Sequence, residues 1–324
     1  MSIAKGNHSI FMLQIYYFLK PLIPRWLQLF IRHKIALKKR SRFQNIWPID
    51  EKSSKPPRLW KGWPQHKQFA LVLTHDVETA GGLKKVDDLI ELEKQFGFRS
   101  AFYFVAERYN ITKQDLIKLK KNGFEIGIHG LVHDGKLFKD HRTFKERAIK
   151  INIYINEWKA KGFRAPSMHH NLSWLHDLNV KYDASTFDTD PFEPQSDGVG
   201  TIFPFIVKDN STQRRYIEVP YTLPQDCTLF VILKERNIDV WKQKLNWIVE
   251  KGGMALVNTH PDYMNFNGNK LKADEYPANY YSDFLDYIIS NFKDQYLHVL
   301  PKDLARFWSN RYSTKREKVF DLAV

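Results

Sequence analysis

The chain has 324 residues, 43% of them apolar, which is enough to bury a substantial core and excludes a solvated polymer. Its one cysteine, Cys227, excludes an intrachain disulfide framework and a cysteine-based zinc knuckle. The formal net charge of +14 sits mostly in residues 1–61, where thirteen Lys and Arg meet only Asp50 and Glu51; the other 263 residues carry +3, so no nucleic-acid partner is expected.

Residues 10–35 (IFMLQIYYFLKPLIPRWLQLFIRHKI) are rich in apolar and aromatic side chains but broken by Lys20, Pro21, Pro24 and Arg25. A spanning helix needs about 20 predominantly apolar residues, and a signal peptide needs a small-residue cleavage site. Neither pattern fits. The cations Lys34, Lys38, Lys39, Arg40 and Arg42 overlap the end of this stretch. Two readings follow for residues 10–42: peripheral contact with an anionic membrane surface, or packing of the apolar side chains on the body. Both place the chain in the cytoplasm, the first at the inner membrane face. Residues 1–65 read as this basic extension plus a connector, because Pro48, Pro56, Pro57 and Pro64 cannot sustain a helix.

Beyond the connector, strand-like and helix-like segments alternate. Residues 69–74 (FALVLT) form a short apolar run, the pattern of a strand buried on both faces. Helical spacing follows over 83–96 with Gly97 as a stop, then a strand at 101–105. A helix at 113–122 closed by Gly123 leads to a strand at 124–128. A long helix is expected over 144–161, closed by Gly162, with a fourth strand at Phe163. Later come strands at 216–219, 254–258 and 298–300, and helices at 239–250 and 280–292. Such alternation argues for parallel βα units, whose active sites gather at the C-terminal strand ends. The expected organisation is a catalytic barrel over 66–310 and a tail over 311–324.

The residues that carry chemistry fall at those ends. His129 and His133, four apart after a strand, reach one metal ion if the segment turns helical. The first strand ends in Thr74-His75-Asp76-Val77-Glu78, and Asp76 and Glu78, two apart, point to one face of a regular strand. Two imidazoles and a carboxylate hold a divalent ion with positions left open, while a second carboxylate takes the proton of an attacking water. Arg164 can orient a carboxylate bidentately, and His260, just past an apolar strand, is placed for a general acid.

With these segments in view, the chain resembles the polysaccharide deacetylases that carry a NodB homology domain. The resemblance rests on THDVE at 74–78, HGLVH at 129–133, RAP at 164–166 and VNTH at 257–260, in the family's order, and covers about residues 66–305. It implies a distorted (β/α) barrel of the α/β class and hydrolysis of an N- or O-acetyl group. Residue by residue, it implies Asp76 as base, His129 and His133 as metal ligands, Arg164 as the residue orienting the base, and His260 as acid. Oxyanion stabilisation is implied near Ser167, and the neighbouring imidazole of His169 can contact substrate. The sequence departs from the family where Val77 replaces the usual second Asp, which makes Glu78 the candidate third ligand. It departs again at Gly130 and in the four-residue histidine spacing. For the fourth motif, Asp188 is taken as the carboxylate that steers His260. Zinc suits this ligand set, although cobalt, nickel or iron is bound by similar groups. The implied substrate is a saccharide or lipid-linked saccharide precursor of cell-surface polysaccharide. Two other readings compete: hydrolysis of another C–N bond such as a cyclic amide, and a non-catalytic saccharide-binding protein that has lost its metal.

Overall fold

The computed structural model of the chain describes residues 24–312. Its central strand is β1 (Phe69–Val77), buried along its whole length as an apolar run flanked on both sides requires. β8 (Met254–Thr259) pairs with one edge of β1, in register from Ala70↔Met254 to His75↔Thr259. On the other edge β11 (Tyr296–His298) pairs with the start of β1, and β2 (Ala101–Phe104) with its end. The sheet continues in parallel through β3 (Glu125–Ile128), β4 (Gly162–Phe163), β5 (Tyr182–Asp183) and β7 (Arg215–Glu218). β6 (Phe205–Lys208) is antiparallel to β7 at the far edge. Past β7 the chain bends back to β8: Thr222 and Leu223 both donate backbone hydrogen bonds, at 3.1 and 3.0 Å, to the Leu256 carbonyl. The sheet therefore curls on itself into a distorted (β/α) barrel. A small separate ladder joins β9 (Met264–Asn265) and β10 (Tyr276–Pro277).

Most of the helices cover the strands they follow. α2 (Val86–Gln95) buries Val86, Leu89 and Ile90 at helical spacing. α3 (Lys113–Lys121) opens with a capping box between Thr112 and Asp115. α4 (His141–Trp158) is capped by Asp140 and stops at Lys159, which takes the left-handed conformation. Gly162 was expected to be that stop; it lies instead inside β4, where the Tyr182 ring covers it. α5 (Asp239–Lys251) ends at Gly252 with φ 70°, and α6 (Asn279–Phe292) and α7 (Pro301–Arg311) complete the shell. The connector is packed rather than loose. Trp63 is buried and donates its indole N–H to the Gly252 carbonyl at 2.9 Å.

α1 (Arg25–Arg42) precedes all of this and also packs on the barrel, burying Gln28, Leu29 and Ala36. His33 Nδ1 donates to the Ile232 carbonyl at 2.8 Å, Lys39 Nζ to the Pro191 carbonyl at 2.8 Å, and Arg40 pairs with Glu235. Residues 10–23 of the predicted membrane-contacting stretch lie outside the described residues. Among the described residues no helix is long and apolar enough to cross a membrane.

A methyl group on Gly162 would sit 1.9 Å from the Tyr182 ring carbon that bears the hydroxyl. That ring cannot yield easily, since its hydroxyl bonds Tyr103 at 2.8 Å and Glu125 at 2.9 Å inside the core. Gly162→Ala is expected to destabilise the fold by about 1–3 kcal/mol through overpacking, read as a lower urea midpoint at an unchanged slope. A variant as stable as wild type would refute the packing described.

Candidate active site

One cleft of about 660 Å³ opens at the C-terminal ends of the strands, and Asp76, Glu78, His129, His133, Ser167 and His260 all line it. Asp76 is in the last turn of the pleat of β1 and Glu78 follows the strand directly, so both face the cleft as their two-residue spacing predicts. His129 begins where β3 ends; its backbone N–H continues the ladder to the Phe104 carbonyl at 2.8 Å. The segment to His133 is not helical, contrary to the helix considered above. Gly130 has φ 68° and His133 has φ 53°, so two left-handed residues fold the loop back on itself. A Cβ on Gly130 would meet the Pro166 ring at 2.8 Å, which accounts for glycine at this position.

The ligand geometry follows from hydrogen bonding. His129 Nδ1 lies 3.0 Å from the Arg164 carbonyl, which can only accept. Nδ1 therefore carries the proton and Nε2 presents its lone pair, buried and without any hydrogen-bond partner. His133 Nε2 lies 3.1 Å from Glu78 Oε1, yet it is not aligned as a hydrogen bond. The other Glu78 oxygen accepts from the Tyr263 hydroxyl at 3.2 Å, leaving Oε1 toward the histidines. One donor atom from each of Glu78, His129 and His133 lies within 4.8 Å of the others. An orphaned buried imidazole nitrogen beside a second imidazole and a carboxylate fits a divalent cation of the zinc type. Burial pushes His129 down to about 4, keeping it neutral as a ligand must be. Burial would raise Glu78, but the adjacent His133 outweighs it and holds the carboxyl well below its usual range.

Asp76 sits beside this set and is gripped on both oxygens. Arg164 Nη1 reaches Oδ1 at 3.1 Å and Asn258 Nδ2 reaches Oδ2 at 2.8 Å. Arg164 also bonds Asn258 Oδ1 at 2.6 Å, Thr74 at 3.0 Å and the Ala184 carbonyl at 2.9 Å, so its contact with Asp76 is single rather than bidentate. Burial opposes the charge on Asp76, yet Arg164 and the nearby imidazoles prevail and its pKa is lowered.

His260 follows β8, with Nε2 3.8 Å from both Asp76 Oδ2 and Glu78 Oε1. Its partner is Asp226, not Asp188. Asp226 Oδ1 accepts from Nδ1 at 2.7 Å while Oδ2 accepts from the His260 backbone at 2.8 Å and from Tyr276 at 2.9 Å. Asp188, taken from the sequence as the steering carboxylate, is buried against Lys244 at 2.6 Å and serves as an internal ion pair. Burial alone would lower His260, but Asp226, with Glu78 and Asp76 behind it, raises its pKa to about 10. Sequence reasoning missed Asp226 and Asn258. A polar residue inside the apolar run at 254–258 was the available signal for Asn258; Asp226 follows an irregular stretch and offered none. Ser167, in the left-handed region at φ 57°, opens onto the cleft, whereas His169 lines an adjoining small recess with His133 and Pro166. Cys227 also borders the main cleft rather than the core.

Two expectations follow. Arg164→Met would leave Asp76 buried and uncompensated, costing about 3–5 kcal/mol at neutral pH. A depressed carboxyl adds stability that is present above its ordinary pKa and lost as pH falls through the folded value. The deficit of the variant should shrink toward acid pH, because its buried Asp76, without the guanidinium, takes up a proton before the wild-type carboxyl does; equal deficits in urea at pH 7 and pH 4 would count against the pairing. In chelator-treated protein, His260 adds stability that is full below its ordinary 6.5 and is lost as pH rises through about 10. Asp226→Asn should move that loss down toward neutrality, visible in unfolding midpoints across the alkaline range.

No protein-family model matches the sequence, and the curated proteins contain no match to it. Solved structures do match. An assigned polysaccharide deacetylase from Mycobacterium smegmatis superposes with TM-score 0.61 at 17% identity, covering 79% of this chain and 96% of the other. Puue allantoinase gives 0.61 at 17% identity, covering 83% and 99%. An assigned polysaccharide deacetylase from Pseudomonas aeruginosa PAO1 gives 0.60 at 15% identity, covering 83% and 100%. At these identities the likeness establishes architecture: the chain has the NodB-type fold of the polysaccharide deacetylases.

Proposed function

We propose that the chain is a metal-dependent hydrolase that removes an acetyl group, held as amide or ester, from a saccharide or saccharide precursor. The observation that carries this reading is the pairing of an orphaned two-histidine, one-carboxylate ligand set with a base and an acid on either side of it. Glu78, His129 and His133 would hold the cation, which when bound supplies Lewis-acid polarisation of the acyl carbonyl and acidifies a water.

The chain's own residues do the rest. Asp76, ionised and fixed by Arg164 and Asn258, accepts the proton of the attacking water. His260, charged and oriented by Asp226, gives a proton to the departing nitrogen or oxygen. Ser167 opens onto the same cleft from the turn after Arg164 and would contact the substrate's acyl oxygen side. His169, in the adjoining recess, is a more distant candidate for substrate contact. The fold is shared with Puue allantoinase, so cleavage of a cyclic amide is the second reading, with the same division of roles.

The test measures bound metal and acetate release on the same samples. Wild type, purified without chelator or reloaded with zinc or cobalt, is expected to hold about one equivalent and to release acetate from acetylated amino sugars. His129→Ala, His133→Ala and Glu78→Ala should lose both. His260→Ala should keep the metal and lose turnover by roughly 100-fold or more, the scale of a general acid. Activity on a cyclic amide with none on acetylated sugars would select the second reading, and a wild type that takes up no metal would sink both.

A further inference from the structure

α1 carries an outward face that nothing in the described chain covers. Eleven large apolar side chains are strongly exposed among the described residues, and five belong to this one 18-residue helix: Trp26, Phe30, Ile31, Ile35 and Leu37. Trp26 is 64% exposed and Ile35 53%. The buried residues Gln28, Leu29 and Ala36 sit on the opposite side, so the apolar exposure is a face rather than a scatter. Lys34, Lys38 and Arg42 interleave with these side chains, and the Lys34 ammonium lies 5.5 Å from the Phe30 ring centre. The helix contains no Asp or Glu.

We propose that this face of α1 docks on an anionic phospholipid surface. The helix carries no acid, and Lys34, Lys38 and Arg42, unlike Arg25 and Arg40, meet no carboxylate among the described residues; such cations favour a negatively charged partner, and the bulky apolar side chains among them favour one with an apolar interior. A bilayer interface offers both, and the helix lies in its plane. Arg25, Gln28 and Arg32 of the same helix line the catalytic cleft on the inner side, and hydrogen bonds from His33 and Lys39 anchor α1 to the body. Docking therefore holds the cleft at the height of the lipid headgroups. Only its consequence for substrate, that a membrane-tethered saccharide is the one presented, rests on the hydrolase reading above.

The test is co-sedimentation of the full chain with vesicles of phosphatidylcholine alone or mixed with phosphatidylglycerol. Wild type is expected to pellet with the mixed vesicles and to release as salt rises. Lys34→Gln with Lys38→Gln should weaken that binding on the order of 25-fold, about fivefold for each lysine. Trp26→Ser with Phe30→Ser should weaken it roughly tenfold or more by removing the buried apolar surface. None of these four residues lines the cleft, so thermal unfolding and any hydrolysis of soluble substrate should stay at wild-type levels. Unchanged binding in both variants would overturn the proposal, since attachment would then come from elsewhere in the chain, residues 1–23 included. Equal binding to neutral vesicles and no salt dependence would overturn it too. So would the absence of vesicle binding together with a dimer that Trp26→Ser and Phe30→Ser dissociate, which would make the occupant a second copy of the chain. Vesicle binding requires no catalysis, so this proposal and the hydrolase reading fail separately.

Discussion

The Arg164 guanidinium is the constraint on which the site depends. It is fully buried and reaches four groups from separate parts of the barrel: Asp76 and Thr74 on β1, Asn258 on β8, and the carbonyl of Ala184 just past β5. The Tyr103 ring of β2 lies beneath it, 4.5 Å from its carbon. Its own backbone adds two more links, since its N–H meets the Ile128 carbonyl at 2.9 Å and its carbonyl fixes the tautomer of His129. The proposed base and the first metal-ligand candidate are thus positioned by one residue. A buried ion pair is weak evidence for stability, because desolvating both charges offsets most of their attraction. What this one secures is geometry: removing either charge would strand the other inside the barrel.

That dependence explains which parts of the fold could be read from the residues. β1 and β8 declare themselves as apolar runs because both faces are covered, and the strand ends beside them carried Asp76, Glu78 and His260. β4 and β5 are two residues each, too short for any periodicity, yet they deliver Arg164 and the Ala184 carbonyl it bonds. Their length is tolerated because the backbone ladder continues through loop residues such as Arg164 and Ala184. Asp188 was chosen from a segment crowded with carboxylates, and sequence cannot say which of them a lysine fifty-six positions on will neutralise. Asp226 lies just before a π-helical turn, Cys227–Ile232, where hydrophobic spacing matches neither helix nor strand. The two readings of the N-terminal stretch were also not exclusive. α1 packs one face on the barrel and leaves the other bare, and no pattern of hydrophobicity distinguishes which apolar residues do which.

The electrostatics of the cleft place the proposed acid, His260, and the proposed base, Asp76, on opposite sides of neutrality. Asp76 is held charged by Arg164 and Asn258, while Asp226 holds His260 charged up to about 10. Both are then in the protonation state that acyl hydrolysis needs across a wide pH range, but each is a reluctant partner in proton transfer, because catalysis is best served by pKa values near the working pH. Glu78 links this to the ligand set. Its Oε1 is 3.1 Å from His133 and 3.8 Å from His260, so the same carboxylate that would ligate a cation also helps keep the acid protonated. Committing its negative charge to a cation would weaken its hold on the His260 proton and bring that imidazole closer to neutrality. On the proposed reading, the ligand set and the acid are coupled through one carboxylate. On that reading Val77, standing where the resembling family carries its usual second acid, leaves the task to Glu78, directly past the end of β1, whose Oε1 faces His133 and His260.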